Sequence, residues 1–433
     1  MFKLAERGTA AATEIRAGLT TFLTMAYVIF VQPAVLSAAG MDFGAVMAAT
    51  CVASALASFV MALASDYPVA LAPAMGENFF FVAVATGVAT GQAVGWRAAL
   101  AAVFASGILF LLLGAFRFRE RIFEALPPGI KHAIGVGIGL FIAFIGLKEG
   151  GLVVAAPGSL VRLGKLSSPP ALVCIAGLVV TSALLARRVR GAILAGIAAA
   201  ALVGAALGVV KFQGVVAPPP SLAPVAFQLD LRALVSATML PVVAVFFFMV
   251  LLDTVGTLVA VEAQAGLLRD GKLERAGRAF LADAVGTTAG ALLGTSTVSA
   301  YIESSTGVAE GGRTGLTAVV TGLCFLLALF FHPLVEALGG GFSGLHPVTA
   351  PALLIVGSLM ARGVREIPWD DPVEAIPAFL LAVGMPLTFS IADGFALGFI
   401  SYAALRLLSG RWRGVSPLVY VMALLFVLRY ALL

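Results

Sequence analysis

Two carboxylates stand inside otherwise apolar surroundings. Asp253 lies in Phe246-Phe-Phe-Met-Val-Leu-Leu-Asp-Thr-Val-Gly-Thr257, and Glu303 lies in the polar insert that runs from Gly294 to Arg313. A charge at the centre of a bilayer costs about 2.5–3.5 kcal/mol on insertion scales, so each group must face a cavity, find a partner or hold a proton. For Asp253 the bland alternative is a hydrogen bond to a neighbouring helix, with Gly256 allowing close approach and Thr254 and Thr257 satisfying polar groups locally. Glu303 sits in a stretch with too little apolar surface to face lipid. Irregular backbone of that kind is tolerated at membrane depth only inside protein, where it can line a binding cavity. A second stretch, Leu71-Ala-Pro-Ala-Met-Gly-Glu-Asn-Phe-Phe-Phe81, is also interrupted by Pro and Gly and carries Glu77 and Asn78 where the insert carries Glu303 and Ser304. The Asn78 amide offers a donor and an acceptor to a heterocycle edge, and the Phe79 ring could stack on a flat ligand. Glu77 is either a coupling carboxylate or a partner for a nearby hydroxyl. Asp66 and Asp283 fall near predicted segment ends and read as interfacial or capping residues.

The elements that hold these groups are membrane helices. The chain has 433 residues, of which 61% are hydrophobic and 11% charged, against about 25% charged in soluble domains. Its apolar runs recur almost end to end, each long enough for a ~30 Å hydrocarbon core. They predict one all-α polytopic membrane domain with segments near 17–37, 44–64, 70–90, 97–116, 130–148, 169–186, 191–210, 238–258, 278–293, 294–309, 314–332, 347–361, 374–389 and 392–408, and one further apolar stretch at 415–432. With a cytoplasmic N-terminus, most Lys and Arg fall on the inside, including Lys3, Arg7, Arg16, Arg117, Arg119, Arg121, Lys131, Arg187, Arg188, Arg190, Arg313, Arg362 and Arg365, as the positive-inside rule requires. Fourteen segments divide into two inverted halves of seven, and interrupted segments at matching positions, the third and the tenth, point to the binding site. The net charge of +5 therefore reads as a topology signal and not as a nucleic-acid footprint. Three dispersed cysteines and three dispersed histidines support neither a disulfide framework nor a metal site, and no cofactor is expected.

The stretches Glu14 to Pro33, Ala72-Pro-Ala-Met-Gly-Glu-Asn-Phe-Phe80, Asp253-Thr-Val-Gly-Thr257 and Tyr301 to Gly315 resemble the AzgA-like hypoxanthine/adenine/guanine permeases, a branch of the nucleobase/ascorbate transporter (nucleobase:cation symporter-2) family. The resemblance runs from about Glu6 to the C-terminus. It implies a seven-plus-seven inverted repeat with a core at 14–116 and 238–332, a gate at 130–210 and 347–408, and an additional C-terminal helix at 415–432. It further implies purine uptake by proton symport in the cell membrane, often as a homodimer, with the core sliding past the gate. By motif the substrate residues fall on Asn78, Asp253 and Glu303. The chain departs from the family pattern at Glu77, where an apolar residue is expected, and at Phe79, where a small one is.

The residues themselves fit a neutral purine, whose N–H donors and ring-nitrogen acceptors match two carboxyls and an amide. Substrate contacts are thus expected from Asn78, Asp253, Glu303, Glu77, Phe79, Thr254 and Ser304, and proton coupling from Asp253 and Glu303. A carrier of uracil, xanthine or a small organic anion on the same fold is the alternative. A membrane-embedded enzyme would need a nucleophile with a base, or a metal cluster, and the scattered His and Cys supply neither.

Overall fold

The computed structural model describes residues 2, 4–114, 127–156, 160–189, 191–212, 214–236, 238–265, 268–269, 272–273, 275–339, 341–413 and 415–432. Arg117, Arg119, Arg121, Arg190 and the end of the expected 97–116 segment lie outside the described residues. In chain order the first elements are α1 (Ala11–Met25), α2 (Val28–Ser37), α3 (Phe43–Ser65), β1 (Leu71–Pro73), α4 (Met75–Thr86) and α5 (Trp96–Gly114). Next come α6 (Pro128–Glu149), β2 (Val153–Ala156), β3 (Leu160–Leu163), α7 (Pro169–Ala186) and α8 (Ala192–Ala206). After them follow α9 (Met239–Ala265), β4 (Leu268–Arg269), β5 (Lys272–Leu273), α10 (Ala276–Leu293), β6 (Val298–Ala300), α11 (Ser304–Ala309), α12 (Gly315–Ala328) and α13 (His332–Gly339). The chain closes with α14 (Ala350–Met360), α15 (Pro372–Thr388), α16 (Ile391–Leu408) and α17 (Pro417–Leu432).

By length and composition, five helical stretches can cross a membrane: Ala11–Ser37, Phe43–Ser65, Pro128–Glu149, Pro169–Ala186 and Gly315–Gly339. Shorter apolar helices stand at Trp96–Leu112, Ala192–Ala206, Met239–Leu251 and Pro372–Thr388. The first expected segment begins earlier than 17 and is interrupted at Ala26 and Tyr27, a break that turns out to matter. Sequence chemistry sets several helix starts. Pro opens α6, α7 and α15, where its missing N–H costs nothing. Asp42 caps α3 by accepting from Ala45 N at 2.8 Å.

The helices pack in two groups. In one, α10 lies on α3 and α5, α12 lies on α1 and α3, and α9 touches α5, α11 and β6. In the other, α6 packs on α14 and α15, α7 on α8, and α15 on α16. Buried Glu14 ties α1 to the start of α12, accepting from Arg313 N at 2.9 Å, Thr314 N at 3.3 Å and the Thr317 hydroxyl at 2.6 Å. Asp66 ends α3 in a left-handed turn, φ 58°, accepts from Gly315 N at 2.9 Å and faces Arg7 and Arg275 at 3.7 and 3.9 Å. It is a capping residue, as its place in the sequence suggests. Asp283 is not: it lies well inside α10, fully buried, and receives the Thr254 hydroxyl. The expected segment starts at 278, which puts Asp283 close to its end, whereas α10 begins at Ala276 and carries Asp283 two turns into the helix.

Candidate functional site

The site is built where two short strands meet. β1 and β6 pair antiparallel, Leu71 opposite Ala300, Ala72 opposite Ser299 and Pro73 opposite Val298, and both are wholly buried. Their flanking amides are satisfied as well, Ala74 N donating to Thr297 O at 2.9 Å and Tyr301 N to Ala70 O at 3.0 Å. Unpaired backbone at this depth would cost several kcal/mol per group, so pairing lets both chains leave helical geometry here. Because the ladder is antiparallel, α4 and α11 depart from opposite ends of it. The first residues after each strand then line one cavity of about 100 Å3.

Glu77, Asp253 and Glu303 meet in that cavity, with Tyr27 and Tyr301 beside them and Ile138, Val356 and Met360 on the facing wall. Gly76 is needed at the start of α4, since a Cβ there would stand 2.5 Å from the Ile138 side chain. The carboxyls are met by hydroxyls. Tyr27 donates to Glu303 Oε1 at 2.8 Å, Ser299 donates to Asp253 Oδ2, and Thr297 donates to Glu77 Oε2 at 3.4 Å. The Tyr301 hydroxyl turns away and donates to Pro73 O at 2.5 Å. No Lys, Arg or His lines the cavity among the described residues. A larger space of about 590 Å3 shares Asp253, Thr257, Ile302 and Glu303 and runs on past Thr24 and Thr306 to Arg188 and Arg362. Such a set of acceptors, closed on one side and open on the other, can hold a small neutral molecule rich in N–H groups.

Three of the seven expected contact residues are thus brought together, and four stand apart. Asn78 is fully buried and donates to Gln32 Oε1 at 2.8 Å, while Gln32 in turn donates to Ser296 Oγ at 2.7 Å and Thr295 Oγ1 at 3.1 Å. The Asn78 Oδ1 atom is buried without a hydrogen bond among the described residues. Phe79 points to the other side of α4, because residues two apart on a helix differ by about 200°. Its ring meets Phe141 edge-on at 6.2 Å and lines a separate cavity of about 120 Å3 that also holds Lys148, Glu149 and His346. Thr254 is engaged with Asp283. The Ser304 hydroxyl accepts from Ala70 N at 3.1 Å, which fastens α11 to the approach to β1. Tyr27, Gln32 and Ser299 went unremarked in the sequence. The available signal was their polarity: Tyr27 and Gln32-Pro33 interrupt an apolar run.

The sequence matches the permease family, Xan_ur_permease, over residues 12–397. It is 51% identical over 434 residues to a putative permease of Methanocaldococcus jannaschii, covering 100% of this chain and 98% of the relative. It is 44% identical to the guanine/hypoxanthine permease PbuG of Bacillus subtilis, covering 100% and 99%. Identity to the adenine permease AdeP of Escherichia coli is 43%, covering 99% and 95%. Among solved structures, the transmembrane domain of a cyanobacterium bicarbonate transporter, BicA, superposes with a TM-score of 0.65 at 15% identity, covering 88% of this chain and 97% of that one. That likeness shows the fold, a helical multi-pass membrane fold of the transporter kind.

Proposed function

Because the chain belongs to the permease family, in the nucleobase/ascorbate transporter branch, we propose that it imports purine nucleobases by proton symport. The observation that carries the reading is the meeting of Asp253, Glu303 and Glu77 in one small cavity that no Lys, Arg or His lines among the described residues. Asp253 and Glu303 accept the N–H hydrogens of the base, and Asp253 carries the coupled proton. Asn78 supports the cavity from behind through Gln32. Phe79, Thr254 and Ser304 act indirectly, by packing and by hydrogen bonds that hold α4, α9 and α11.

In this reading the fourteen segments form two inverted halves of seven, with the third and tenth broken at β1 and β6. Residues 14–116 and 238–332 make a core that slides as a unit, 130–210 and 347–408 make a gate, and 415–432 adds a helix. The separate packing of the two helix groups supports that division. The N-terminus is cytoplasmic, the space ending at Arg188 and Arg362 opens inward, and the protein assembles as a homodimer. With proton and base bound the core presents a neutral site, whereas an ionised empty site resists crossing by about 2.5–3.5 kcal/mol, roughly a hundredfold bias against slippage.

Uptake of radiolabelled hypoxanthine and guanine into purine-transport-deficient vesicles, with and without an imposed pH gradient, tests the proposal. Accumulation that follows the gradient is expected; uptake indifferent to it removes proton symport, and no uptake of any base removes the substrate. Uracil and xanthine belong in the same competition panel. An organic anion is a poorer fit, since three carboxyls line the small cavity and the arginines of the larger space, Arg188 and Arg362, are not among its lining residues.

A further inference from the structure

We propose that Glu77 makes this cavity select purines that carry an amine next to a ring N–H, so that guanine is held better than hypoxanthine; the inference rests on the nucleobase reading above. These two bases differ in one group, the 2-amino group that guanine has and hypoxanthine lacks.

The argument is a count of acceptors against donors. Three carboxyls line the cavity. Glu303 already receives the Tyr27 hydroxyl at 2.8 Å, and Asp253 receives the Ser299 hydroxyl. Glu77 is the one without a close hydroxyl: it is 2% exposed, Thr297 reaches its Oε2 only at 3.4 Å, the far limit of a hydrogen bond, and the other donor to its carboxyl is its own backbone amide. The Tyr301 hydroxyl beside it is committed to the Pro73 carbonyl. A buried acceptor left so weakly partnered favours any ligand that brings it an N–H.

Hypoxanthine brings two N–H hydrogens, one on each ring, to three carboxyls. Guanine adds two more on its amine. One of these pairs with the neighbouring ring N–H to make a two-pronged donor edge for a single carboxylate, and the other projects beyond that edge to reach a second. Position 76 is glycine, so the start of α4 presents no side chain there, and Ile138 packs close against it. Adenine falls between the two bases, because its amine is flanked by ring nitrogens that are acceptors and would face the carboxyls.

The test is competition for radiolabelled guanine uptake in proteoliposomes holding the full chain. Unlabelled hypoxanthine is expected to compete about tenfold more weakly than unlabelled guanine, a conservative figure for losing a hydrogen bond in a site built around it. In Glu77→Leu the ratio should fall to about twofold through weaker guanine binding, with hypoxanthine little changed. Glu77→Gln keeps shape and one acceptor oxygen, and should lie between. Equal competition by the two bases in the wild type, or a Glu77→Leu protein that keeps the tenfold ratio, overturns the inference and leaves the nucleobase reading standing. If neither base enters loaded vesicles although the protein is monodisperse, the nucleobase reading falls and takes this one with it. Should Glu77→Leu fail to fold, Glu77→Gln decides the matter: a tenfold ratio of guanine to hypoxanthine competition kept in that variant overturns the inference, and a lowered ratio supports it.

Discussion

Glu374 and Glu303 are both carboxylates within the apolar body of the protein, and they are compensated in different ways. Glu374, in α15, accepts from Gly129 N at 3.0 Å, from the Tyr402 hydroxyl at 2.9 Å and from Arg406 Nη2 at 2.7 Å. Three elements are joined by one side chain, and a cation cancels its charge. Glu303 has the Tyr27 hydroxyl on one oxygen and a cavity beside it. A charge that is paired and saturated is a fixture, because removing either partner strands the other at a large cost. A charge met only by hydroxyls keeps capacity for a ligand or a proton. Asp66, with Arg7 and Arg275, belongs with Glu374; Asp253, with Ser299, belongs with Glu303.

The contrast is broken most directly at Asp253. Asp253→Asn mimics the protonated acid, so base exchange across the membrane should survive while accumulation driven by a pH gradient falls at least about a hundredfold. Paired exchange and gradient-driven uptake assays on the same vesicles read both. A variant that still concentrates purine in step with the gradient would move the coupling role to Glu303 or Glu77. Glu374→Gln should do the opposite. It leaves Arg406 without its partner and destabilises the fold by about 2 kcal/mol, less than the 3–5 of a fully buried pair because the Arg406 side chain is 21% exposed. Thermal unfolding should show the loss, with the KM of the folded fraction unchanged; a raised KM at wild-type stability would erase the distinction between the two kinds of carboxylate.

The same distinction marks how far the sequence could be read. Asp253 stands out because insertion cost singles out a carboxylate in an apolar run, and Glu303 because it sits in a polar, irregular insert between two apolar segments. Pro and Gly around Glu77 and in the insert announced irregular backbone, and the structure has short paired strands there. The partners were not legible. Tyr27 is 276 positions from Glu303 and Ser299 is 46 from Asp253, so no local pattern links them. Helical phase was the other gap. Asn78 is singled out by its amide and the motif and Phe79 by its ring, but successive helix residues turn by about 100°, which carries Asn78 to Gln32 and Phe79 to Phe141. Glu14 read as one charge of a polar N-terminus, and its three donors at the start of α12 come from about 300 residues away.

A smaller effect sharpens the comparison at Tyr27. Tyr27→Phe removes one hydrogen bond to Glu303 and keeps the ring, so the apparent KM for the base should rise about fivefold, the effect of roughly 1 kcal/mol, with thermal stability little changed. A drop in stability with KM unaltered would make Tyr27 a structural partner, and Glu303 a second fixture.

The smallest effect is expected at Phe79, and it tests helical phase more than chemistry. The ring lies edge-on to Phe141, which is in turn 5.4 Å from Phe389, in a chain of aromatic contacts between α4, α6 and the end of α15. Phe389 is held there in a left-handed conformation, φ 53°, which fixes its ring against both Phe141 and Phe144. Phe79→Leu preserves most of the buried apolar area and removes only the ring contact, worth about 0.5–1.5 kcal/mol. Substrate KM should therefore stay within about twofold, while the rate of exchange between the two faces of the membrane shifts, since the contact joins the two helix groups. If KM for a purine rises about tenfold or more and that for a non-planar competitor does not, the ring stacks on the base after all. In that case the cavity seen beside Glu77 and Glu303 must open toward Phe79 when the substrate is bound.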